Sequence, residues 1–235
     1  MKHVQAIVER YCLTGDNRLK GPAQSAANFI VGAQFTDGSW GYSAGTKGDL
    51  SVTGWQFTAL KTAYFAKLRV PDATFGQVTK FLESVADPNG LGYGYNTPAS
   101  PRATSAVGFL CREYLGWTAR RPELAKGVDN LAKPENFVTR EAPAMYYLFY
   151  ATHVMHHFGG KNWQTWNPKA RDLLLELQDQ GTDHSHKKGS WFSPNDDHAK
   201  TGGRLMFTSL AILTLEVYYY SVPLNDYGPA VLLDY

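Results

Sequence analysis

Three carboxylic acids stand in sequence surroundings that could give them a chemical role. Asp49 directly precedes an apolar segment with helical periodicity, and Glu113 and Glu216 each lie in an apolar segment that also contains tyrosine. Burial among apolar residues raises the pKa of a carboxyl group, so that it can hold and donate a proton. All three are therefore candidates for a catalytic acid or a ligand anchor. The alternatives are structural: a helix cap at Asp49, and an ion pair or a tyrosine hydrogen bond at each glutamate.

Histidine and cysteine side chains could also carry chemistry, as ligands of a metal ion. His153 and His157 are spaced to share one helix face, but the glutamate of an H-E-x-x-H zinc site is missing between them. Cys111 lies in an apolar segment without a C-x-x-C partner, which is typical of a core residue. One polar loop holds further candidates beside two lysines that would repel a cation: His184, His186, Asp196, Asp197 and His198. The sequence therefore predicts neither a metal site nor a cofactor.

Aromatic residues are the best candidates for ligand binding. Twelve Phe, six Trp and fourteen Tyr make up 14% of the chain, and many lie in Gly-rich loops that lead into apolar segments. Such rings can line a funnel for an apolar or sugar ligand, or they can seal the loop end of a helical hairpin. The ligand-binding candidates are Trp40, Tyr42, Trp55, Tyr93, Tyr95, Trp191, the neighbouring Phe192, and Arg204 at the start of the last apolar segment.

These residues must be positioned by a helical repeat with a period of about fifty residues. Four amphipathic segments, each followed by a loop rich in Gly, Pro and Asn, open near Pro22, Thr74, Arg121 and Pro168. A more uniformly apolar helix follows each loop, over residues 52–66, 104–115, 144–158 and 206–220. With a lead-in helix over residues 4–12, the sequence predicts an all-α protein of about four helical hairpins.

Charge and hydropathy limit the functions that fit the chain. The formal net charge is +2, which gives no global attraction to nucleic acid. No apolar run reaches the roughly eighteen residues that a membrane-spanning helix needs. No signal sequence is visible, so a cytoplasmic location is the default expectation and the compartment is otherwise undetermined. We expect residues 1–235 to form one domain, which could be the C-terminal part of a longer protein.

Two stretches resemble a known repeat motif. Gln34-Phe35-Thr36-Asp37-Gly38-Ser39-Trp40 is similar to the Q-x-x-x-G-x-W motif of terpenoid cyclases such as squalene–hopene cyclase. Gln178 with Gly189-Ser190-Trp191 resembles a second copy with a longer insert. The resemblance extends to the protein prenyltransferase and squalene-oxidase repeats. It implies an α/α toroid, in which outer and inner helices alternate around a cavity, and four of the family's six hairpins imply an incomplete ring.

The chemistry that this resemblance implies is largely missing. The cyclases protonate an alkene with an acid in D-x-D-D-T-A, and the matching stretch is Asp49-Leu50-Ser51-Val52-Thr53-Gly54. Ser51 and Val52 replace the two central acids, and a serine hydroxyl is far too weak an acid for that step. The Asp, Cys and His zinc ligands of the prenyltransferases have no matching D-x-C and His. The thioester string G-C-G-E-Q of complement-type toroids is absent from the chain.

The sequence therefore favours a non-catalytic member of this repeat group, which binds an apolar, isoprenoid-like ligand or a protein partner in its concave face. The alternative is an active isoprenoid cyclase, transferase or glycan-acting enzyme that uses carboxylates in the cavity. A third interpretation is a scaffold domain without a ligand, its cavity filled by the tyrosines at 146–147 and 218–220.

Overall fold

The computed structural model describes residues 2–181 and 186–217. Within these residues the regular structure is helical, with one short 3-10 helix at Pro134–Asn136 and no β-strand, which confirms the all-α prediction. The α-helices are α1 (Lys2–Thr14), α2 (Asn17–Gly32), α3 (Leu50–Phe65), α4 (Asp72–Val85), α5 (Arg102–Tyr114), α6 (Pro122–Leu131), α7 (Met145–Phe158), α8 (Gly160–Leu177) and α9 (Ala199–Leu215). A lead-in helix is thus followed by four successive pairs, α2–α3, α4–α5, α6–α7 and α8–α9.

Two helices begin earlier than their prolines indicate. Pro22 and Pro168 lie inside α2 and α8, not near their first residues as the sequence predicts. α2 begins earlier because the Asp16 carboxylate caps it, accepting a hydrogen bond from the Arg18 N–H at 2.9 Å. α8 begins directly after Gly159, which has a positive φ of 75° and separates it from α7. A proline therefore marks these two helices but not their boundaries.

The last helix also departs from the prediction at its start. α9 begins at Ala199, but Gly203 interrupts it with a non-helical backbone, at φ 60° and ψ −174°. This conformation is open to glycine and strained for other residues, so Gly203 divides a short first turn from the main helix. Residues 218–220 of the predicted helix lie outside the described residues.

By their internal contacts the helices fall into two compact units, of which the first ends at Trp117 and the second begins at Thr118. The first unit therefore holds α1 to α5 and the second holds α6 to α9. Repeat proteins also divide in this way between neighbouring repeats. The single domain expected over residues 1–235 stays a prediction.

In the first unit, α3 occupies the centre. It contacts α1, α2, α4 and α5. Phe57 of α3 is fully buried and meets Phe75 of α4 and Tyr114 of α5 edge-on, with ring centroids 5.8 and 6.3 Å apart. Tyr64, two helical turns further along the same face, also packs on Phe75, at 5.8 Å. One face of α3 is thus filled by the helix pair that follows it.

In the second unit, α7 has the corresponding place. It contacts α6, α8 and α9. Trp166 of α8 is buried against α7, where its indole N–H donates to the Thr152 hydroxyl at 2.9 Å. The Tyr147 ring packs edge-on against the same indole, at 6.1 Å, and its hydroxyl donates to the Leu131 carbonyl at 3.3 Å. In both units the second helix of one pair contacts both helices of the next pair.

A glycine in the middle of α5 allows the loop before it to pack closely. A Cβ at Gly108 would overlap the ring of Tyr93, which is buried. We expect Gly108→Ala to lower the free energy of unfolding by about 1 to 3 kcal/mol, because the ring has no space to move away.

The matched control is Gly76→Ala in the middle of α4, where a Cβ would meet nothing within 4 Å. It should stabilise the protein by about 0.5 to 1 kcal/mol through helix propensity alone. Urea unfolding followed by circular dichroism measures both changes. Equal effects of the two substitutions would contradict the packing of Tyr93 against α5.

Candidate functional site

The described parts of the two motif stretches form closely similar turns, which we call the Gln–Trp turns (residues 34–40, and 178–181 with 186–191). In each, the glutamine side-chain amide donates to the glycine carbonyl: Gln34 to Gly38 and Gln178 to Gly189, both at 3.0 Å. Both glycines have positive φ, 92° and 80°, which explains why glycine stands at this position. A Cβ at Gly38 would also overlap the backbone of Gln77.

The tryptophan of each turn closes the helix that precedes it. The Trp40 indole N–H donates to the Ile30 carbonyl in the last turn of α2, at 2.7 Å. The Trp191 indole N–H donates to the Leu174 carbonyl in the last turn of α8, also at 2.7 Å. Both accepting residues lie four positions before the glutamine of their turn. The two rings are 1% and 5% exposed, so they occupy the hairpin ends, as the sealing alternative requires.

A hydroxyl group of the following helix binds the backbone of each tryptophan. The Trp40 N–H donates to Thr53 Oγ1 of α3 at 3.0 Å, and the Trp191 N–H donates to Thr208 Oγ1 of α9 at 3.1 Å. The turn is therefore tied to both helices that it connects. The N–H would otherwise be buried without an acceptor.

A third turn of the same kind lies between α4 and α5, and the sequence analysis missed it. Tyr93 takes the place of tryptophan, and its N–H donates to Ser105 Oγ at 3.1 Å. The Asp87 N–H donates to the Gly92 carbonyl at 2.9 Å, as the Phe35 N–H donates to a backbone carbonyl of the first turn at 2.9 Å. The signal that could have revealed this turn is the serine, which lies at the same position of α5 as Thr53 in α3.

The Tyr93 hydroxyl is bound inside the first unit and does not point to solvent. It accepts a hydrogen bond from Arg112 Nε at 3.2 Å, and the Phe109 ring meets the Tyr93 ring edge-on at 5.2 Å. The Arg112 guanidinium also lies 4.8 Å from the Trp117 ring centre. Tyr93 is thus a core residue of the hairpin.

Asp49 caps α3, as the structural alternative predicts. Its Oδ1 accepts from the Val52 N–H at 2.9 Å, and its Oδ2 accepts from the Tyr95 hydroxyl at 2.6 Å. The side chain is buried and both of its oxygens are occupied. Burial and the bond to Asp49 raise the pKa of Tyr95 above its usual range, so the phenol stays protonated and donates.

Two of the predicted binding tyrosines lie together at the surface beside Asp49. The Tyr42 and Tyr95 hydroxyl oxygens are 3.4 Å apart, and the residues are 78% and 42% exposed. Trp55 lies on α3, where it is half-buried. Among the residues predicted to bind a ligand or to act as an acid, the structure thus brings Tyr42, Tyr95 and Asp49 next to one another.

Arg204 holds the second Gln–Trp turn together. Its Nη1 donates to Ser190 Oγ at 2.8 Å and to Asp179 Oδ2 at 3.1 Å. Its guanidinium carbon lies 5.4 Å from the centre of the Phe192 ring. These contacts give Arg204 a structural role, and its binding of a ligand stays a prediction.

Glu113 is a buried acid without a hydrogen bond. It is 2% exposed, and neither carboxyl oxygen has a hydrogen-bond partner among the described residues. Burial raises the pKa of Glu113 well above its usual value, because an apolar environment favours the protonated carboxyl group. The ion pair or tyrosine hydrogen bond expected from sequence is therefore not formed in the described residues.

Lys61 is a second buried ionisable group, which the sequence analysis did not single out. It is 2% exposed, its ammonium has no hydrogen-bond acceptor in the part of the chain that the structure describes, and it lies 5.4 and 5.0 Å from the ring centres of Tyr64 and Phe65. Burial lowers its pKa to about 8. Lys61 follows Thr53 by eight residues, as Glu113 follows Ser105. The two groups therefore occupy the same position of successive second helices.

Glu216 is the C-cap residue of α9, half-buried, and its N–H donates to the Ile212 carbonyl at 2.8 Å. The part of the predicted helix beyond Val217 lies outside the described residues, so the mid-helix position of Glu216 stays a prediction.

The three histidines of α7 are packed, and burial favours the neutral form of His153 and His157. His153 Nδ1 lies 2.9 Å from the Phe149 carbonyl oxygen, and burial lowers the pKa of His153 to about 4. His156 meets the Trp163 ring edge-on at 4.9 Å, and burial lowers the pKa of His157. Burial also raises the pKa of the Cys111 thiol to about 12, which makes it unreactive.

A carboxylate in the polar loop between α8 and α9 binds the first residue of α7. Asp196 Oδ2 accepts from the Met145 N–H at 2.8 Å, and its Oδ1 accepts from the His198 N–H at 2.9 Å. The buried carboxylate thus satisfies the first N–H of α7. His186 and Asp197 are exposed, and His184 lies outside the described residues. Within residues 2–181 and 186–217, no three His, Cys, Asp or Glu side chains are arranged to hold a metal ion.

No protein-family model matches the chain, and a comparison with curated proteins finds no match. Among the helices described, none has both the length and the hydropathy to cross a bilayer. The turns and the buried groups of the two units are therefore the basis for a functional proposal.

Because the two Gln–Trp turns make equivalent bonds, we expect substitution of either tryptophan to lower the free energy of unfolding by the same amount. Trp40→Phe and Trp191→Phe each remove an indole donor, so each should lower the free energy of unfolding by about 1 to 3 kcal/mol. Tyr42→Phe, which removes an exposed hydroxyl, should change it by less than about 0.5 kcal/mol. Chemical denaturation measures all three, and a Trp40→Phe cost as small as that of Tyr42→Phe would contradict the role of the indole bond.

The buried carboxyl predicts a pH dependence. The unfolded chain ionises its glutamates near pH 4.3, whereas folded Glu113 keeps its proton to a higher pH. Its contribution to stability therefore falls as pH rises above about 4.3, by at most about 1.4 kcal/mol per pH unit. Glu113→Gln removes this dependence and should be more stable than the wild type near pH 7, with little difference near pH 4.

The control is Glu83→Gln, at an exposed position of α4. It should leave the pH dependence as it is in the wild type. Urea unfolding at several pH values measures both variants, and an unchanged pH dependence in Glu113→Gln would show that this carboxyl is ionised in the folded protein.

Proposed function

We propose that this chain is a terpenoid-cyclase-like α/α toroid repeat protein that has lost its acid chemistry and binds an apolar, isoprenoid-like ligand along its second helices. The observation that carries the proposal is the shared geometry of the two Gln–Trp turns. One turn lies in each compact unit, and the glutamine amide, indole N–H and tryptophan N–H make equivalent bonds in both. Recurrence of one closing device along the chain supports a repeat architecture.

The order of helix contacts supports the toroid arrangement. In such a ring, each inner helix packs against the outer and the inner helix of the next hairpin. α3 contacts α4 and α5, and α7 contacts α8 and α9. The same order therefore holds within each unit.

The burial of the second helices supports an apolar ligand. α5 is buried without interruption from Thr104 to Glu113, and α7 buries most of its residues. A helix that is buried on most sides needs apolar contacts on most sides. An apolar ligand would contact these helices through their apolar side chains. The alternative to an apolar small molecule is a protein partner that binds to the same face.

The state of Asp49 supports the loss of the cyclase chemistry. An alkene-protonating carboxyl must carry its proton and present it to the substrate. Asp49 Oδ1 accepts from a backbone N–H and its Oδ2 accepts from the Tyr95 hydroxyl. The side chain is therefore a cap and an acceptor, and Ser51 and Val52 supply no second acid.

A second candidate function, an enzyme acting on an isoprenoid, is favoured by Glu113. It is a buried acid on a second helix, and burial raises its pKa, so it keeps its proton to a higher pH than an exposed glutamate does. However, burial that raises its pKa also makes it a weaker acid, whereas alkene protonation needs a strong one. Glu113 is better suited to donate a hydrogen bond to a polar group of a ligand.

The test uses squalene and farnesol as probes. We expect native mass spectrometry of the full chain to show one bound isoprenoid, and incubation with squalene in deuterium oxide to yield no deuterated cyclic product. Cyclisation transfers a proton from the acid to the alkene, so a cyclase would leave deuterium in its product.

Two outcomes distinguish the candidate functions. A deuterated product that disappears in Glu113→Gln and persists in Glu83→Gln would show that the protein is an enzyme and not a non-catalytic binding protein. Absence of isoprenoid binding in the wild type, with the helical content intact by circular dichroism, would overturn both.

A further inference from the structure

Lys61 is a primary amine in apolar surroundings on the central helix of the first unit. It lies four residues after Phe57 and three before Tyr64, so the three residues share one face of α3. Phe75 of α4 packs on both of these rings, with ring centroids 5.8 Å apart in each pair. The Lys61 ammonium itself lies 5.0 Å from the centre of the Phe65 ring. The side chain therefore ends among aromatic rings and not in water.

The amine has no polar partner that explains its burial. Lys61 is 2% exposed, and no atom within residues 2–181 and 186–217 accepts a hydrogen bond from its Nζ. Glu113, at the equivalent position of α5, is not bonded to it. The contacts with aromatic rings compensate the desolvation of the ammonium only in part. An apolar side chain would serve the core better, so the amine itself needs an explanation.

A ligand can reach the amine from the end of α3. The two rings that lie over the ammonium, Tyr64 and Phe65, are half-buried, and Lys67 just beyond the helix is exposed. Lys61 is therefore about one helical turn from solvent. Rotation of the two ring side chains opens a path, and the flexible four-carbon side chain of lysine can move towards it.

The surroundings of Lys61 suit an aldehyde better than an acid. A buried carboxylate needs several hydrogen-bond donors, whereas the backbone N–H groups around Lys61 are used within α3. An aldehyde needs only the neutral amine, which attacks its carbonyl carbon. Burial lowers the pKa of Lys61 to about 8, so more of the neutral amine is present near pH 7 than at an exposed lysine. The apolar surroundings also favour an uncharged imine over an ammonium.

We infer that Lys61 is a covalent binding site for an apolar aldehyde, which it holds as an imine. The neutral amine adds to the carbonyl carbon, and the resulting carbinolamine loses water. This water carries the carbonyl oxygen and the two amine protons, and a C=N bond joins Nζ to the ligand. The step needs no oxidant or reductant, and water reverses it. The inference rests on the function proposed above, because it assigns the head group of the isoprenoid-like ligand.

Trapping of the imine tests the inference. The full chain is incubated with equimolar citronellal, an isoprenoid aldehyde, and with cyanoborohydride, which transfers hydride to the imine carbon and makes the bond permanent. Mass spectrometry of the intact protein should show one citronellyl group per chain. Peptide mapping should place this group on Lys61.

Two variants control for the reaction of other amines. Lys61→Met, which keeps the length and apolar character of the side chain, should lose the adduct while its helical content by circular dichroism is unchanged. Lys67→Met, at the exposed position after α3, should keep the adduct. Mapping on the wild type decides the matter even if Lys61→Met fails to fold. Labelling of exposed lysines to the same extent as Lys61 overturns the inference.

The alcohol and the acid with the same carbon skeleton separate this inference from the function on which it rests. Citronellol that binds to the wild type, without an adduct on Lys61 from citronellal, overturns the covalent site and leaves isoprenoid binding in place. If neither citronellol nor farnesol binds, the proposed function fails and the inference fails with it. If citronellic acid binds more tightly than citronellol, and only when Lys61 is present, Lys61 pairs with a carboxylate and the inference is wrong.

Discussion

A single hydroxyl group near the start of a second helix ties that helix to the loop before it. Thr53, Ser105 and Thr208 each accept the backbone N–H of an aromatic residue within the loop before the helix. This N–H is buried, so an unpaired one would cost about 1 to 3 kcal/mol. In the two Gln–Trp turns the ring then lies against the end of the preceding helix, whereas the Tyr93 ring packs on the following helix. The loop, both helix ends and the ring are therefore positioned together.

The second helices of two successive hairpins also bury an ionisable side chain at the same position, where water cannot solvate its charge. Lys61 and Glu113 stand eight residues after their hydroxyl residues, and both are buried without a hydrogen bond to the described residues. Burial lowers the pKa of Lys61 and raises that of Glu113, so each is shifted towards its neutral form. A chain selected for stability alone would place apolar residues there. Asp49 is different, because two donors compensate its burial.

The helices were predictable because helical periodicity is a local property. Apolar residues three and four positions apart identify α3, α5 and α7 to within about two residues at their starts, which is the usual limit of boundary prediction. Pro22 and Pro168 were misleading, because both lie inside helices that begin several residues before them. Asp16, an ordinary capping residue, indicated the true start of α2 more accurately.

By itself the sequence determined the class of fold, the number of helix pairs and the absence of the full acid motif, since these depend on residue type and spacing. Only the tertiary structure decided which polar side chains have hydrogen-bond partners. Trp40 and Trp191 were interpreted either as ligand-binding or as sealing rings, and their indole bonds to helix carbonyls show that they seal. Tyr42 and Tyr95, in contrast, lie at the surface of the protein. A partner distant in the chain determines whether a polar side chain is occupied or available, and local sequence does not contain that information.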